Sequence, residues 1–375
     1  MNPGLLVKLR PTGPWRIGPD SGARNQVDAI YHSDTLYAAV TSALVRLGMM
    51  EPWLDATTRS SSPAVCFSSC FPFVDEVRFI IPPRTIWPPT SPALLSARVR
   101  WKSARFVPLE VVEALLGGQS LDEHRWAVDG TSGCLMPAGS PGPFRTGLRF
   151  NAAVDRLTGA AERHSTACLE FRPGAGLWAV ISFADENARA HWAAPLKTAF
   201  SLLADSGFGG ERSRGWGRAD TPEFIEGSLP EMVLGGQPAE GQAEPPPPPE
   251  ALSVEEPTQA EGVSESNTPA PAPFADPAVP APVRAHWLLS LFTPAATDEV
   301  DWQRGNYTVL ERGGRVESPA RSGELKKQLH MVAEGSVLYT SAVLRGSAPD
   351  VAPDGFVHPV FRSGFAVSIP LPEMS

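Results

Sequence analysis

Cysteine, positive charge and long apolar runs are all scarce in this sequence, and each shortage removes a class of function. Among 375 residues there are four cysteines, Cys66, Cys70, Cys134 and Cys168. Only Cys66 and Cys70 are close, and no histidine or second cysteine pair stands at ligand spacing from them. The pattern therefore offers neither a disulfide framework nor a zinc site, and buried free thiols are expected. No apolar run reaches the ~18 residues that a membrane-spanning helix needs. No basic, then apolar, then small-residue leader precedes Leu5-Leu6-Val7, so a cytoplasmic protein without a membrane partner is expected. Paired-carboxylate, nucleophile-elbow and metal-ligand motifs are also missing; no catalytic residue, metal or cofactor is expected.

Lys and Arg number 32 against 41 Asp and Glu, a formal charge of −9 that argues against a nucleic-acid binder until it is mapped. Residues 230–283 hold nine of the acids, no Lys or Arg, and 14 of the 40 prolines, including the run Pro245–Pro249. Without that stretch 32 acids face 32 bases, so any RNA site must be a local basic patch on a neutral body. A segment of this composition buries too little apolar surface to offset its ordering entropy. It is expected to be a disordered Pro/Glu-rich linker dividing the chain into 1–229 and 284–375.

The fold class expected is α+β. Leu5–Leu9 suggests a first strand. Ser33 can cap a helix whose Leu36, Val40, Leu44 and Leu47 form one apolar stripe, with Asp34 favoured in its first turn. Phe71–Ile81 is β-rich and stops at Pro82-Pro83. Thr166–Phe171 and Leu177–Phe183 flank Pro173-Gly174-Ala175-Gly176 as a hairpin. Asp185–Asp205 reads as a second amphipathic helix, and Thr221–Ile225 as a closing strand. The order βαββαβ is that of a ferredoxin-like module, with insertions over roughly 84–165. The C-terminal part offers strands at His286–Phe292, Tyr307–Glu311, Leu325–Val332, Ser336–Tyr339 and Phe361–Ile369 with little helix, and is expected to be a smaller, degenerate copy of the same module.

What the sequence has in abundance is glycine at one place. Gly207-Phe208-Gly209-Gly210-Glu211-Arg212-Ser213-Arg214-Gly215-Trp216-Gly217-Arg218 contains five glycines and three arginines. Glycines admit positive φ and close approach of another chain, and their N–H groups can form a nest for phosphate oxygens. Arg212, Arg214 and Arg218 add charge and Ser213 a hydroxyl. Phe208 and Trp216 either stack on bases or anchor the loop. The loop follows a helix and precedes a strand, the reverse of a P-loop. A basic run, Arg98-Val99-Arg100-Trp101-Lys102-Ser103-Ala104-Arg105, has Arg98, Arg100 and Lys102 on one face if it is a strand, with Trp101 on the other. His32-Ser33-Asp34 invites a catalytic reading, but neighbours at a helix start do not face each other and no second histidine or nucleophile accompanies them; shaping the RNA path fits the trio better.

A helix followed by this glycine–arginine loop resembles the glycine-rich loop of the RAMP superfamily of CRISPR systems. Leu9-Arg10-Pro11, Gly13-Pro14-Trp15-Arg16-Ile17-Gly18 and His32-Ser33-Asp34-Thr35-Leu36 are similar to the opening of the Cas-five-like family of type III-A complexes, Csm subunit four. Phe71-Pro72-Phe73, Ile80-Ile81-Pro82-Pro83-Arg84 and Arg149-Phe150-Asn151-Ala152-Ala153-Val154-Asp155-Arg156 resemble further segments of that family. Gly335-Ser336-Val337-Leu338 and His358-Pro359-Val360-Phe361-Arg362-Ser363-Gly364 resemble its second domain; the acidic stretch departs from it. The resemblance implies a non-catalytic subunit that caps the 5′ repeat-derived tag of CRISPR RNA (crRNA) and touches the large signalling subunit and the backbone RAMP subunit. The RNA-contacting set expected is Gly207, Phe208, Gly209, Gly210, Arg212, Ser213, Arg214, Gly215, Trp216 and Gly217, with Arg24, His32, Ser33, Arg149, Asn151 and Arg156. An extended hairpin within 84–110 or 140–160 would interrupt guide–target pairing. The alternatives are a metal-independent endoribonuclease that processes CRISPR transcripts, against which about 160 residues following the loop weigh, and an assembly scaffold that binds no RNA.

Overall fold

The computed structural model describes residues 2–19, 22–89, 101–235, 282–318 and 323–372. Most of the acidic proline-rich stretch, together with Arg98 and Arg100, therefore lies outside the described residues. The architecture is mixed α+β, built from antiparallel sheets and few helices.

In chain order the first part contains β1 (Asn2–Leu9), α1 (Ser33–Arg46), α2 (Met50–Ala56), β2 (Val65–Phe67), β3 (Phe71–Val74), β4 (Val77–Ile80), β5 (Val107–Pro108), α3 (Leu109–Leu116), β6 (Trp126–Val128), β7 (Leu135–Pro137), β8 (Phe144–Val154), β9 (Ala161–Phe171), β10 (Ala175–Phe183), α4 (Glu186–Ser206) and β11 (Glu223–Leu229). The main sheet runs β11-β1-β10-β3-β4-β5, with β2 also on β10. β10 is buried at every position and apolar at all but Ser182, as suits a central strand covered on both faces. Leu36, Tyr37, Val40 and Leu44 of α1 and Trp192, Leu196, Phe200 and Leu203 of α4 bury their i, i+4 stripes in the same core. Asp185 caps α4 by accepting from the Ala188 N–H at 2.7 Å. Leu47, expected on the α1 stripe, lies past the helix end and is exposed.

Two expectations about the middle of the chain are overturned. Thr166–Phe171 does not form a hairpin with Leu177–Phe183. β9 pairs with β8 over eleven positions, from Phe144↔Phe171 to Val154↔Ala161, while β10 enters the main sheet. The reason is burial: β10 needs cover on both faces, whereas β9 turns polar and exposed toward its start and can stand in water. The basic run is not a strand where it is described. Trp101–Ser103 forms a 3₁₀ turn, fixed by the buried Trp101 ring edge-on to Trp87 at 5.7 Å.

The C-terminal part contains β12 (Arg284–Leu288), β13 (Asp301–Asn306), β14 (Val309–Arg312), β15 (Leu329–Val332), β16 (Val337–Thr340), β17 (Gly346–Ser347), β18 (Gly364–Phe365) and β19 (Ser368–Pro370), and no helix among the described residues. Its sheet runs β13-β16-β12-β19. Alternation splits the side chains of this sheet between two faces. Trp287, Val337 and Ile369 join the core of the first part, while Leu288 and Leu338 pack with Phe292, Val332 and Leu344 in a smaller cluster.

A buried polar seam fastens the two parts. His32, Ser33 and Asp34 are all buried at the start of α1. His32, not Ser33, is the N-cap residue. The Ser33 hydroxyl instead accepts from the Leu291 N–H at 3.0 Å, across 258 residues of chain, because the connection after β12 covers this helix end and brings an amide that needs an acceptor. His32 Nδ1 lies 2.7 Å from Glu334 Oε1, and its Nε2 lies 3.3 Å from Asp28 Oδ2. Ser69 also donates to Glu334. Asp34 receives Arg312 on both oxygens, at 3.0 and 3.2 Å, and Arg362 on one. Gly335, beside this seam, has φ +81°, and a Cβ there would meet Ile81 Cγ2 at 2.4 Å, so only glycine lets the second part cross the end of β4.

Replacing Asp34 by Asn leaves two buried arginines without their counter-charge. Asp34→Asn is expected to cost about 3–5 kcal/mol in denaturant unfolding. Burial opposes charge on His32, but Glu334 and Asp28 outweigh it and push its pKa up to about 9. A folded pKa above the unfolded value of 6.5 gives stability that is complete below pH 6.5 and lost as pH rises through about 9. Burial likewise opposes ionisation of Asp34, which Arg312 and Arg362 hold well below the carboxylate range; that contribution is present above pH 3.8 and lost as pH falls. Thermal midpoints measured against pH should fall between pH 7 and about 9 in the native chain. The alkaline fall should flatten in His32→Gln, and an unchanged slope there would contradict the assignment.

Candidate nucleic-acid interface

The glycine-rich loop begins where α4 must stop. Gly207 takes φ +96°, its N–H closing on Leu203 O at 2.7 Å. From there the loop folds back on the segment after β1. Gly210 N–H donates to Arg16 O, Gly217 N–H to Pro14 O and Phe208 N–H to Gly217 O, each at 2.9 Å. The glycines are there because backbones touch. A Cβ at Gly217 would lie 2.0 Å from Phe208 O, one at Gly209 2.3 Å from Arg16 O, and one at Gly207 2.4 Å from Trp216 O. Phe208 is the anchor of the two alternatives, 1% exposed, stacked on Trp15 at 5.1 Å, edge-on to Tyr31 and tilted against Phe200. Trp216 is half-buried.

The glycine amides are thus committed inside the protein, and the nest expected from them lies elsewhere. Glu211 has φ +61° and opens a 3₁₀ turn, Arg212–Arg214, closed by Arg214 N–H on Glu211 O and Gly215 N–H on Arg212 O. The amides of Glu211, Arg212 and Ser213 come first in this turn and have no acceptor among the described residues. The side chains of Arg212, Ser213 and Arg214 are exposed around them. An open concavity of about 670 Å³ is lined by Ser206, Gly209, Gly210, Glu211, Arg212, Ser213 and Glu317. Arg214 pairs with Glu211 at 2.8 Å, and Arg212 pairs with Glu317 of the C-terminal part. The surface offers donors and cations to an anion, beside the carboxylates of Glu211 and Glu317.

The remaining expected contacts separate into three places. Arg24 is exposed, and its carbonyl accepts both from Ala167 N–H at 2.8 Å and from the Arg16 guanidinium at 3.0 Å. Arg16, which sequence reasoning used only as part of a motif, is buried and donates to the carbonyls of Ala23, Arg24, Gln26 and Ala167, tying the segment before α1 to β9. Arg149, Asn151 and Arg156 lie on the β8–β9 hairpin. Arg149 pairs with Glu170, as does Arg145 at 2.9 Å, and not with Asp155, which instead holds its own turn through Leu157 N–H and Thr158 Oγ1. Asn151 Nδ2 is buried without a partner. Arg156 is exposed at the hairpin tip with Leu157, and Leu148, Phe150 and Val154 are also exposed on β8. Arg163 covers the Phe150 ring at 4.2 Å. His32 and Ser33 form the third place, and they serve the buried seam: neither presents a surface to RNA. Glu334, Arg312 and Arg362 were missed because their partners lie 278 to 328 residues away in sequence.

All four cysteines are free, and burial raises their thiol pKa values, that of Cys66 to about 12. No group of three metal-ligating side chains occurs among the described residues, and none of their helices is long and apolar enough to cross a membrane.

With this geometry in hand, comparisons place the chain among known proteins. Residues 283–371 match the family model of the CRISPR Csm4 C-terminal domain. In structure, the chain is similar to a chain of the Csm3–Csm4 subcomplex of the type III-A CRISPR-Cas interference complex, with a TM-score of 0.59 at 13% identity over 98% of this chain and 100% of that one. It is also similar to a chain of a Csm1–Csm4 cassette in complex with cA4, with a TM-score of 0.51 at 15% identity over 100% and 99%. At these identities the likeness is one of fold. A comparison with curated proteins finds no sequence match.

The loop geometry separates two glycines of equal φ. A Cβ at Gly215 (φ +79°) would stand in open space, whereas one at Gly217 (φ +80°) would not. Gly215→Ala should cost about 1–2 kcal/mol from backbone strain alone, and Gly217→Ala distinctly more, because Phe208 must also move. Thermal unfolding of the two variants checks the order.

Proposed function

We propose that this chain, whose residues 283–371 match the Csm4 C-terminal domain and whose whole length shares the fold of chains from Csm4 assemblies, is the 5′-capping subunit of a type III-A crRNA-guided complex. The observation that carries the reading is the turn at Glu211–Arg214. Three amides without acceptors among the described residues, two exposed arginines and a hydroxyl surround an open concavity, on a loop whose glycines fix it rigidly to the core. Such a surface takes the phosphates of a single strand, and its cations give salt-dependent affinity.

In this reading the loop grips the repeat-derived tag of the guide, and Arg24 lies along its path. The two parts of the chain are ferredoxin-like modules, the second reduced, presenting one surface to the large signalling subunit and another to the backbone RAMP subunit. The β8–β9 hairpin projects from the body with an apolar and basic tip and interrupts guide–target pairing. The chain itself does no chemistry. His32 and Asp34, the groups its sequence offered for acid–base work, are locked between the modules by Glu334, Arg312 and Arg362. That burial weighs against the endoribonuclease reading.

Co-expression with a CRISPR array and its neighbouring genes, followed by sequencing of RNA in the purified complex, should yield small RNAs sharing one 5′ end. Photocrosslinks from that end should map to residues 207–218. Arg214→Ala with Arg218→Ala should weaken tag binding and lower the salt slope by about 0.7 for each phosphate that is no longer neutralised. Cleavage of repeat RNA at one site by the purified chain in EDTA would favour the nuclease, and a complex with no crosslink to this chain would favour a scaffold.

A further inference from the structure

We infer that Glu317 stands where a phosphate of the bound strand binds, so that Arg212, Ser213 and the amides at the start of the 3₁₀ turn form a phosphate subsite held by a carboxylate from the other module until RNA arrives. The inference deepens the reading of the loop as an RNA grip and rests on it.

Three observations converge on it. Among the described residues, Glu317 is the one contribution of the C-terminal part to the concavity; every other lining residue comes from Ser206–Ser213. Its carboxylate accepts from Arg212 Nη2, the loop cation nearest the turn's leading amides, and 105 residues separate the two in sequence. The Glu317 side chain is 82% exposed, against 38% for Arg212. It therefore approaches the guanidinium from the solvent side, the side from which a strand must come. An arginine recognises carboxylate and phosphate through the same fork of N–H donors, so one anion can replace the other without moving the loop.

The surroundings favour exchange over a permanent bond. An exposed ion pair of this kind is weak and is screened by salt. On the Glu317 side stands Lys326, partly buried; burial and then Arg362 lower its pKa, against the pull of the Asp34 and Glu317 carboxylates. Once displaced, Glu317 leaves Arg212 to the phosphate. Glu317 rises from a narrow connection, with Val316 N–H on Glu324 O at 2.8 Å and Gly323 N–H on Val316 O at 2.9 Å, so its root is fixed while its side chain is free to swing.

The test is tag RNA binding by the full chain at several salt concentrations, comparing the native protein with Glu317→Gln, Arg212→Ala and the double variant. Glu186→Gln, at the far end of α4, controls for net charge. Glu317→Gln should bind about two- to fivefold tighter, the factor an exposed ion pair is worth, and Glu186→Gln should not. Arg212→Ala should bind more weakly, and adding Glu317→Gln to it should change nothing further. Equal affinities for the native protein and Glu317→Gln, weaker binding by Glu317→Gln, or the same gain in the Arg212→Ala background would each overturn the subsite while leaving the RNA grip intact. No binding by the native protein or any variant would overturn both. Thermal midpoints of the variants, expected within a few degrees of native because both side chains are at the surface, confirm that each is folded.

Discussion

Asp34 and Glu334 are carboxylates with almost no contact with water, and each reaches across the boundary between the two halves of the chain. Asp34 holds Arg312 and Arg362; Glu334 holds His32 and the Ser69 hydroxyl. Charges so placed are tolerated only when every partner is present, which makes the seam all-or-nothing. An apolar contact between the sheets would permit sliding. The seam permits one arrangement, and it places Glu317 over the glycine-rich loop, more than a hundred residues away in sequence.

The loop is rigid for a related reason. Its glycines serve contact between backbones: Gly209 against Arg16, Gly217 against Phe208, Gly207 against Trp216. Phe208 is sunk among Trp15, Tyr31 and Phe200. The glycine-dense part is thus the foundation, and the short turn of Glu211–Arg214 stands on it with its side chains exposed. A turn mounted this way is preorganised: its amides need little further ordering to meet an anion.

The main sheet and the β8–β9 hairpin illustrate how burial divides one sequence between two roles. β10 is covered on both faces and lies at the centre. β8 and β9 form a two-stranded ribbon, tied to the body where Leu169 bridges Trp15, and with its turn it carries exposed Leu148, Phe150, Val154 and Leu157 beside Arg149, Arg156 and Arg163. Paired backbone groups let such a ribbon stand in water without a sheet beneath it, its apolar side chains left at the surface.

The sequence by itself determined much of this. Periodicity located α1 and α4, the apolar run at Leu177–Phe183 marked a strand, and the glycine–arginine density located the loop. These features are local: they depend on residues within a turn or two of one another. Tertiary structure alone decided which residues of the loop face outward, that β9 pairs with β8 and not β10, and that Trp101 sits in a turn. It also gave His32, Ser33 and Asp34 their task. Read locally they are a cap and an acid–base pair; their partners Glu334, Leu291 and Arg312 lie 302, 258 and 278 residues away. Long-range pairing of charges leaves no periodic trace in a single chain, because any carboxylate can serve any arginine. Only the fold brings one particular pair within reach and takes away the water that would otherwise make the choice immaterial.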